Sequence, residues 1–204
     1  MAELLDKFPA QENVEGLSDE ELLRRFAQGD RSALVELLGR YERPLFNYLA
    51  RLLGDATAAE DAYQEVCLRL LRSAGTYDPS RPARPWLYAI ATNVCRRHGA
   101  KRTSRRALAL DSTEDDEAVG RLHDLPAEGP EPGEVVEQRE LAGLVGQAVK
   151  SLPEHQREVV LLYQYQGLKY GEISRIVGRP LGTVKSDMFY ALRTLRRRLE
   201  RYRR

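Results

Sequence analysis

The fold is decided by residues 170–195, which read YGEISRIVGRPLGTVKSDMFYALRTL. The first part of this stretch carries three apolar residues at i, i+3 and i+4, the spacing of one helical face: Ile173, Ile176 and Val177. Gly178 follows where a left-handed C-cap is expected, and Pro180 cannot continue the helix. The pattern predicts a short helix that ends in a tight turn.

A second helical pattern opens near Gly182. Its inward positions are predicted to be Val184, Met188, Ala191, Leu192 and Leu195. Its outward positions are predicted to be Thr183, Lys185, Ser186, Asp187, Tyr190 and Arg193. Such a pair of helices is either a helix-turn-helix, whose second helix enters the major groove, or an ordinary helical hairpin. The basic residues on and beyond the second helix favour the DNA-binding interpretation.

Length and composition restrict the class of protein. The chain has 204 residues and a mass of 23.2 kDa, enough for one large or two small domains. It shows neither an apolar run of membrane-spanning length nor a signal peptide at its start, so we expect a cytoplasmic protein without membrane insertion. Cys67 and Cys95 have no paired spacing and are expected to be reduced and buried.

No enzyme signature is visible. The sequence lacks a phosphate-binding glycine loop, and its three histidines do not form a catalytic set. Cys95 and His98 lie close in sequence but have no further partners at metal-ligand spacing. We therefore expect no catalytic residues, no metal and no cofactor.

The net charge of only +1 conceals a strong asymmetry. Residues 84–106 contain seven Lys or Arg and no acid, whereas residues 111–138 contain ten acids and one Arg. Residues 150–204 contain thirteen Lys or Arg and five acids. Two basic blocks separated by an acidic one predict two nucleic-acid surfaces joined by a segment that avoids nucleic acid or imitates it.

The order of patterns along the chain predicts an all-α protein with two small helical domains. Residues 1–16 have no period and are expected to be a flexible start. Helices are expected at residues 18–28, 31–53, 58–73 and 85–101, with capping boxes at Ser18–Glu21 and Thr57–Glu60 and with a bend or break at Pro44. Residues 17–102 form the first domain, 103–133 an acidic flexible linker and 134–204 the second domain.

Several motifs carry a family resemblance. In the second domain they are LPEHQREVVLL (152–162), GLKYGEI (167–173) and PLGTVKS (180–186). In the first domain they are Gly29-Asp30, Gly54-Asp55, AEDAYQEV (59–66), RPWL (84–87) and ATN (91–93). This ordered series resembles regions 2 and 4 of bacterial sigma factors, and the short two-domain layout is similar to the extracytoplasmic-function (ECF) group of the sigma-70 family.

The resemblance implies a non-catalytic subunit that directs core RNA polymerase to promoter DNA and helps melt it. Asp61, Gln64 and Glu65 would dock on the clamp helices of the largest subunit, while the second domain would meet the flap. The same resemblance implies control by an anti-sigma factor. The acidic linker would mimic nucleic acid in the polymerase cleft or serve only as a tether.

The resemblance also implies the DNA contacts. Candidates for bases of the −10 element are Tyr77, Trp86, Tyr88 and Asn93, with core packing as the alternative for Trp86. Candidates for its phosphates are Arg96, Arg97, Lys101 and Arg102. Candidates for the −35 element are Thr183, Lys185, Ser186, Phe189, Tyr190 and Arg193.

The sequence leaves alternatives for the role of Asp187 and for the class of DNA-binding protein. Asp187 departs from the basic residue common in the family, and either accepts a hydrogen bond from a cytosine amine or is turned away from phosphate. The rival to the whole interpretation is an independent helix-turn-helix regulator, which would bind duplex DNA tightly without polymerase.

Overall fold

The computed structural model describes the backbone of residues 16–108 and 142–200, with side chains described for 16–100 and 142–200. Every regular element in these ranges is helical. The all-α prediction is therefore confirmed for this part of the chain. The predicted flexible start, residues 1–16, lies outside the described residues except for Gly16, and the predicted acidic linker, residues 103–133, does so except for 103–108, which belong to a helix.

The first domain contains four α-helices: α1 (Asp19–Ala27), α2 (Arg31–Leu53), α3 (Ala56–Ser73) and α4 (Ala83–Leu108). A short 3-10 turn, Ala74–Thr76, follows α3. The predicted cap of α1 is present, since the backbone N–H of Glu21 donates to Ser18 Oγ at 3.2 Å. Pro44 lies inside α2 without breaking it into two helices.

Two predicted boundaries of the first domain were wrong. α3 begins at Ala56 and is capped by Asp55, whose carboxylate accepts the backbone N–H of Ala58 at 3.1 Å, so Thr57 is not the cap. α4 begins at Ala83 and runs to Leu108, past the predicted end of the domain at residue 102. The first amide of α4 is capped from a distance, because the Ala83 N–H donates to Glu20 Oε1 at 2.8 Å.

All four helices of the first domain contribute to its core, and α2 and α4 contact each other within it. Leu45, Tyr48 and Leu49 of α2 are buried against Leu87 and Tyr88 of α4. The rings of Tyr48 and Tyr88 meet edge to face at 5.4 Å, a favourable aromatic geometry. Leu71 of α3 lies outside this core and is 48% exposed.

The second domain is formed by α5 (residues 142–150), α6 (Glu154–Val160), α7 (Tyr170–Val177) and α8 (Leu181–Leu199). α6 continues into a π-helical turn, Leu161–Tyr165, before Gly167 at φ 64° ends it. Gly178 adopts the predicted left-handed conformation at φ 67° and ends α7. α8 starts directly after Pro180, and its Leu192, predicted to face inward, is 55% exposed.

The two domains pack against each other. α4 contacts α7, and α2 contacts the π-helical turn, so the apolar cores form one continuous cluster. Arg157 of α6 donates to Leu52 O at the end of α2 at 2.9 Å, satisfying a helix-terminal carbonyl. Among the described residues, no helix combines the length and apolarity needed to cross a membrane.

Candidate nucleic-acid interface

Helix α8 presents its predicted DNA-binding side chains to solvent. Each of them is exposed: Thr183, Lys185, Ser186, Phe189, Tyr190 and Arg193. Phe189 is 63% and Tyr190 53% exposed, and their rings lie 5.5 Å apart. Exposed aromatic side chains beside basic ones can contact base edges and phosphates together.

Asp187 is turned away from this exposed face. It lies on the buried stripe of α8 with Val184, Met188 and Ala191, and is only 8% exposed. Its Oδ2 accepts a hydrogen bond from Arg179 in the turn before α8. Of the two interpretations of Asp187, this structure agrees with the one in which the carboxylate is turned away from phosphate.

The predicted −10 residues divide between two sides of α4. Trp86, Asn93 and Arg97 follow one another at i, i+7 and i+11, which places them on one side of the helix. Asn93 and Arg97 are exposed and Trp86 is half-buried. Lys101 and Arg102 belong to α4, but their side chains lie outside the described residues.

Trp86 packs on the loop that precedes α4. Its ring lies 5.1 Å from that of Tyr77, which is 9% exposed and donates from its hydroxyl to Arg81 O. Burial raises the pKa of Tyr77 to about 12. Tyr77 is therefore neutral and packs against the indole of Trp86, which is half-buried against the core.

The other side of α4 is covered by the second domain. Tyr88 is fully buried and its hydroxyl donates to Gln166 Oε1. Burial raises the pKa of Tyr88 to about 12, so the hydroxyl stays a donor. The predicted base contact by Tyr88 does not agree with this arrangement, because no DNA could reach the ring.

Arg96 lies on the same covered side. Its Nε and Nη2 donate to the two carboxylate oxygens of Glu158 at 2.7 and 2.8 Å, and both Nη atoms donate to Val177 O at 3.2 Å. Glu158 is only 2% exposed. The hydrogen bonds to Glu158 raise the pKa of Arg96. The predicted phosphate contact by Arg96 is therefore not available here, since its guanidinium is already bound.

Comparison with known proteins identifies the family. Residues 37–105 match the family model described as Sigma-70 region 2, and residues 142–195 match Sigma-70, region 4. The RNA polymerase sigma-H factor of Pseudomonas aeruginosa is 30% identical over 183 residues, covering 89% of this chain and 94% of that protein. The chain belongs to the ECF group of the sigma-70 family. ECF RNA polymerase sigma factor SigW of Bacillus subtilis is 28% identical over 87% of this chain and 94% of its own length.

Solved structures agree with the sigma-factor fold. CnrH, solved in complex with the cytosolic domain of CnrY, covers 89% of this chain and 97% of its own, with a TM-score of 0.62 at 22% identity. RpoE of Bartonella quintana, solved with the anti-sigma factor NepR, covers 81% and 95%, with a TM-score of 0.66 at 20% identity. At these identities the likeness concerns the fold alone.

In region 2 of this sigma factor, the three predicted polymerase-binding residues differ in their surroundings. Asp61 and Gln64 are exposed on α3. Glu65 is half-buried and accepts hydrogen bonds from Arg69 at 2.6 Å and His98 at 3.0 Å. Burial alone would raise the pKa of Glu65, but the hydrogen bonds from His98 and Arg69 outweigh it and lower the pKa.

Cys95 and His98 are engaged separately. His98 contacts Glu65, while Cys95 is buried and its pKa is raised by burial and by the nearby Glu158. Within the described part of the chain, no group of three or more His, Cys, Asp or Glu residues is placed to hold a metal ion. The contacts of His98 and the burial of Cys95 therefore indicate structural roles.

Sequence reasoning missed the polar network inside region 4. Glu158, Gln166 and Arg179 are the residues that connect α6, α7 and α8 to one another and to region 2. Helical spacing alone could have identified Asp187 as a buried residue. An acid at position i+3 of an apolar stripe faces the core and needs a cation there. No comparable signal in the sequence marks Gln166 as the partner of Tyr88.

Proposed function

We propose that this sigma factor binds core RNA polymerase in the cytoplasm, recognises the −10 and −35 elements and promotes DNA melting at initiation. It contributes no catalytic residue, since the polymerisation chemistry belongs to the polymerase. The observation that carries the proposal is the exposed polar, basic and aromatic face of α8, in a chain that matches regions 2 and 4 in order.

For the −35 element, the proposed readers are the six exposed residues of α8 named above. A base-specific contact from such a side chain discriminates by about 1–3 kcal/mol, whereas a phosphate contact acts mainly through its salt dependence. Thr183 and Ser186 suit contacts with base edges, and Arg193 suits a phosphate or a guanine. The flap of the polymerase is the proposed partner for the rest of region 4.

For the −10 element, the exposed side of α4 provides the first contacts. Trp86 offers a partly open indole on which a flipped base can stack, and Asn93 offers an amide for its hydrogen-bonding edge. Arg97, with Lys101 and Arg102 further along α4, is proposed to bind phosphates. Contacts by Tyr88 and Arg96 require the two domains to separate first, because region 4 covers both side chains.

For the polymerase, the proposed docking surface is the outer side of α3. Asp61 and Gln64 are exposed there and suit a polar interface with the clamp helices of the largest subunit. Glu65 contributes from the edge of the same surface while it remains paired with Arg69 and His98.

The first test is binding to the polymerase. Purified protein would be titrated into bacterial core polymerase at low salt and at about 0.15 M salt, followed by gel filtration. One-to-one co-elution is expected, and the Asp61→Asn plus Gln64→Ala variant is expected to co-elute less. Failure to associate, together with tight binding of duplex DNA by the protein alone, would establish the independent regulator instead.

We also propose control by an anti-sigma factor. CnrH and RpoE, whose folds this chain shares, were each solved with a bound partner. The expected partner is a protein encoded beside this sigma factor that blocks its binding to core polymerase. Co-purification of the two, with loss of transcription on adding the partner, tests the proposal, and a neighbour that neither binds nor inhibits contradicts it.

A further inference from the structure

The recognition helix α8 carries an acid at a core position. Its buried stripe follows i, i+3, i+4 and i+7, and Asp187 occupies the second of these four positions. Val184 and Ala191 on either side of it are completely buried. A carboxylate in such a place is costly unless a cation and hydrogen bonds compensate it.

Arg179 provides that compensation and is itself held through its backbone and both of its Nη atoms. Its backbone N–H donates to Ser174 O at 3.2 Å, and its carbonyl accepts from Ser174 Oγ at 2.6 Å. Its guanidinium donates to Asp187 Oδ2, to Glu158 Oε2 at 3.2 Å and to His155 O at 3.0 Å. Arg179 thus joins α6 and α8 through its side chain and α7 through its backbone.

Among the described residues, no side-chain hydrogen bond caps the beginning of α8. Pro180 occupies the N-cap, where no side chain accepts a hydrogen bond from the first turn. Apolar packing through Val184 and Met188 is non-directional, so by itself it tolerates small rolls and tilts of a helix. Charge-assisted, forked hydrogen bonds fix direction as well as distance.

Any movement of α8 at the contact between Arg179 and Asp187 also moves the exposed face of the helix. Ser186 is adjacent to Asp187, and Thr183 lies one turn before it. Each residue of a helix is rotated by a fixed angle from its neighbour, so a roll about the helix axis at Asp187 moves both side chains by the same angle. Base readout depends on hydrogen bonds whose geometry tolerates little displacement.

We propose that Arg179 and Asp187 are positioning residues that set the orientation of α8 on DNA and so determine the −35 sequence preference without touching a base. The proposal rests on the proposed function of α8 as the −35 reader. Glu158 and the nearby His155, whose Nε2 lies 3.7 Å from Asp187 Oδ1, complete the charged surroundings of the pair.

The test compares sequence preferences of reconstituted holoenzymes. Wild-type protein, Arg179→Gln and Asp187→Asn would each be bound to core polymerase and to a DNA library randomised through both promoter elements, and the retained DNA would be sequenced. The control is Arg175→Gln, an exposed arginine of α7 whose guanidinium contacts Gly171 O of its own helix.

We expect both test variants to lose about tenfold of the preference for the selected −35 sequence over a scrambled one, the size of one good base contact. Their −10 preference should equal that of wild type and of Arg175→Gln. A variant that does not fold by circular dichroism is replaced by Arg179→Lys, which keeps the charge but loses the fork.

The outcomes separate the two proposals. An unchanged −35 preference in folded variants overturns the positioning role, as does an equal loss at both elements, which a general loss of stability would produce. Failure of wild-type holoenzyme to select any −35 sequence overturns the proposed function itself.

Discussion

Helices α4 and α8 both carry predicted DNA-binding residues, yet they differ in what the rest of the molecule does with them. On α8 all six of these side chains are exposed. On α4 the described ones divide, with Asn93 and Arg97 exposed and Tyr88 and Arg96 bound to the second domain.

In this arrangement the predicted DNA-binding face of α8 is open to a duplex, whereas only one side of α4 is open. Two contacts hold region 4 against the covered side of α4. They are the buried hydrogen bond from Tyr88 to Gln166 and the pair of hydrogen bonds from Arg96 to the Glu158 carboxylate. Under the proposed function, contact of the covered side of α4 with DNA requires region 4 to leave it first.

The largest expected effect comes from removing the shared carboxylate. Glu158→Gln removes the anionic partner of Arg96 and one of the two anionic partners of Arg179, and should lower the free energy of unfolding by about 3 kcal/mol. Urea denaturation at pH 7 measures it, with Glu60→Gln, an exposed acid on α3, expected to change it by less than about 0.5 kcal/mol. Equal effects of the two variants would contradict the idea that Glu158 holds the covered side of α4.

A second pair of variants makes the same chemical change on each helix. Tyr88→Phe removes the hydroxyl that bonds Gln166 and leaves a buried amide oxygen unsatisfied, which should cost about 1.5 kcal/mol of unfolding free energy. Tyr190→Phe, on the exposed face of α8, should cost less than about 0.5 kcal/mol. Thermal or urea unfolding distinguishes them, and a larger loss for Tyr190→Phe would reverse the comparison.

A third pair compares two threonines. Thr92 Oγ1 is buried on α4, donates to Tyr88 O at 2.7 Å and lies 2.7 Å from the Tyr48 hydroxyl, so Thr92→Val should cost about 1 kcal/mol. Thr183→Val on α8 should leave unfolding unchanged while it weakens binding at the −35 element. Loss of stability in Thr183→Val would show that α8 is less exposed than described.

The smallest effect concerns the contact between His98 of α4 and Glu65 of α3. Because the folded-state pKa of Glu65 is lowered, the carboxylate stabilises the fold above its ordinary pKa of 4.5, and this contribution is lost as the pH falls through the lowered value. Glu65→Gln should therefore cost about 0.5 kcal/mol at pH 7 and nothing at strongly acidic pH.

Unfolding curves at several pH values test this, with Asp61→Asn as the matched exposed acid. A difference between wild type and Glu65→Gln that persists unchanged into strongly acidic solution would show that the carboxylate charge is not the cause.

The local elements were largely predictable because their signals are local. The stripe of Ile173, Ile176 and Val177, with Gly178 after it, was sufficient for α7 and its turn. The start of α3 was mispredicted because Asp55, like Thr57, can accept a backbone N–H, and spacing does not rank the two.

The candidate site was predictable only where exposure follows from helical period. The exposure of the outward residues of α8 follows from that period. The burial of Tyr88 and the pairing of Arg96 instead depend on residues about 60 to 80 positions away in the chain. A sequence pattern reports which residues share a side of a helix. It does not report which partner covers that side.

One contact in the first domain has a consequence for how the chain can be shortened. Glu20 of α1 accepts the Ala83 N–H, so the first amide of α4 is capped by a residue 63 positions earlier. α1 has no predicted role in DNA or polymerase binding, and a truncation that removed it would look harmless. Such a truncation would leave the leading end of α4 without its anionic acceptor. The loop that bears Tyr77, against which Trp86 packs, would then lose the contact that sets where the helix begins.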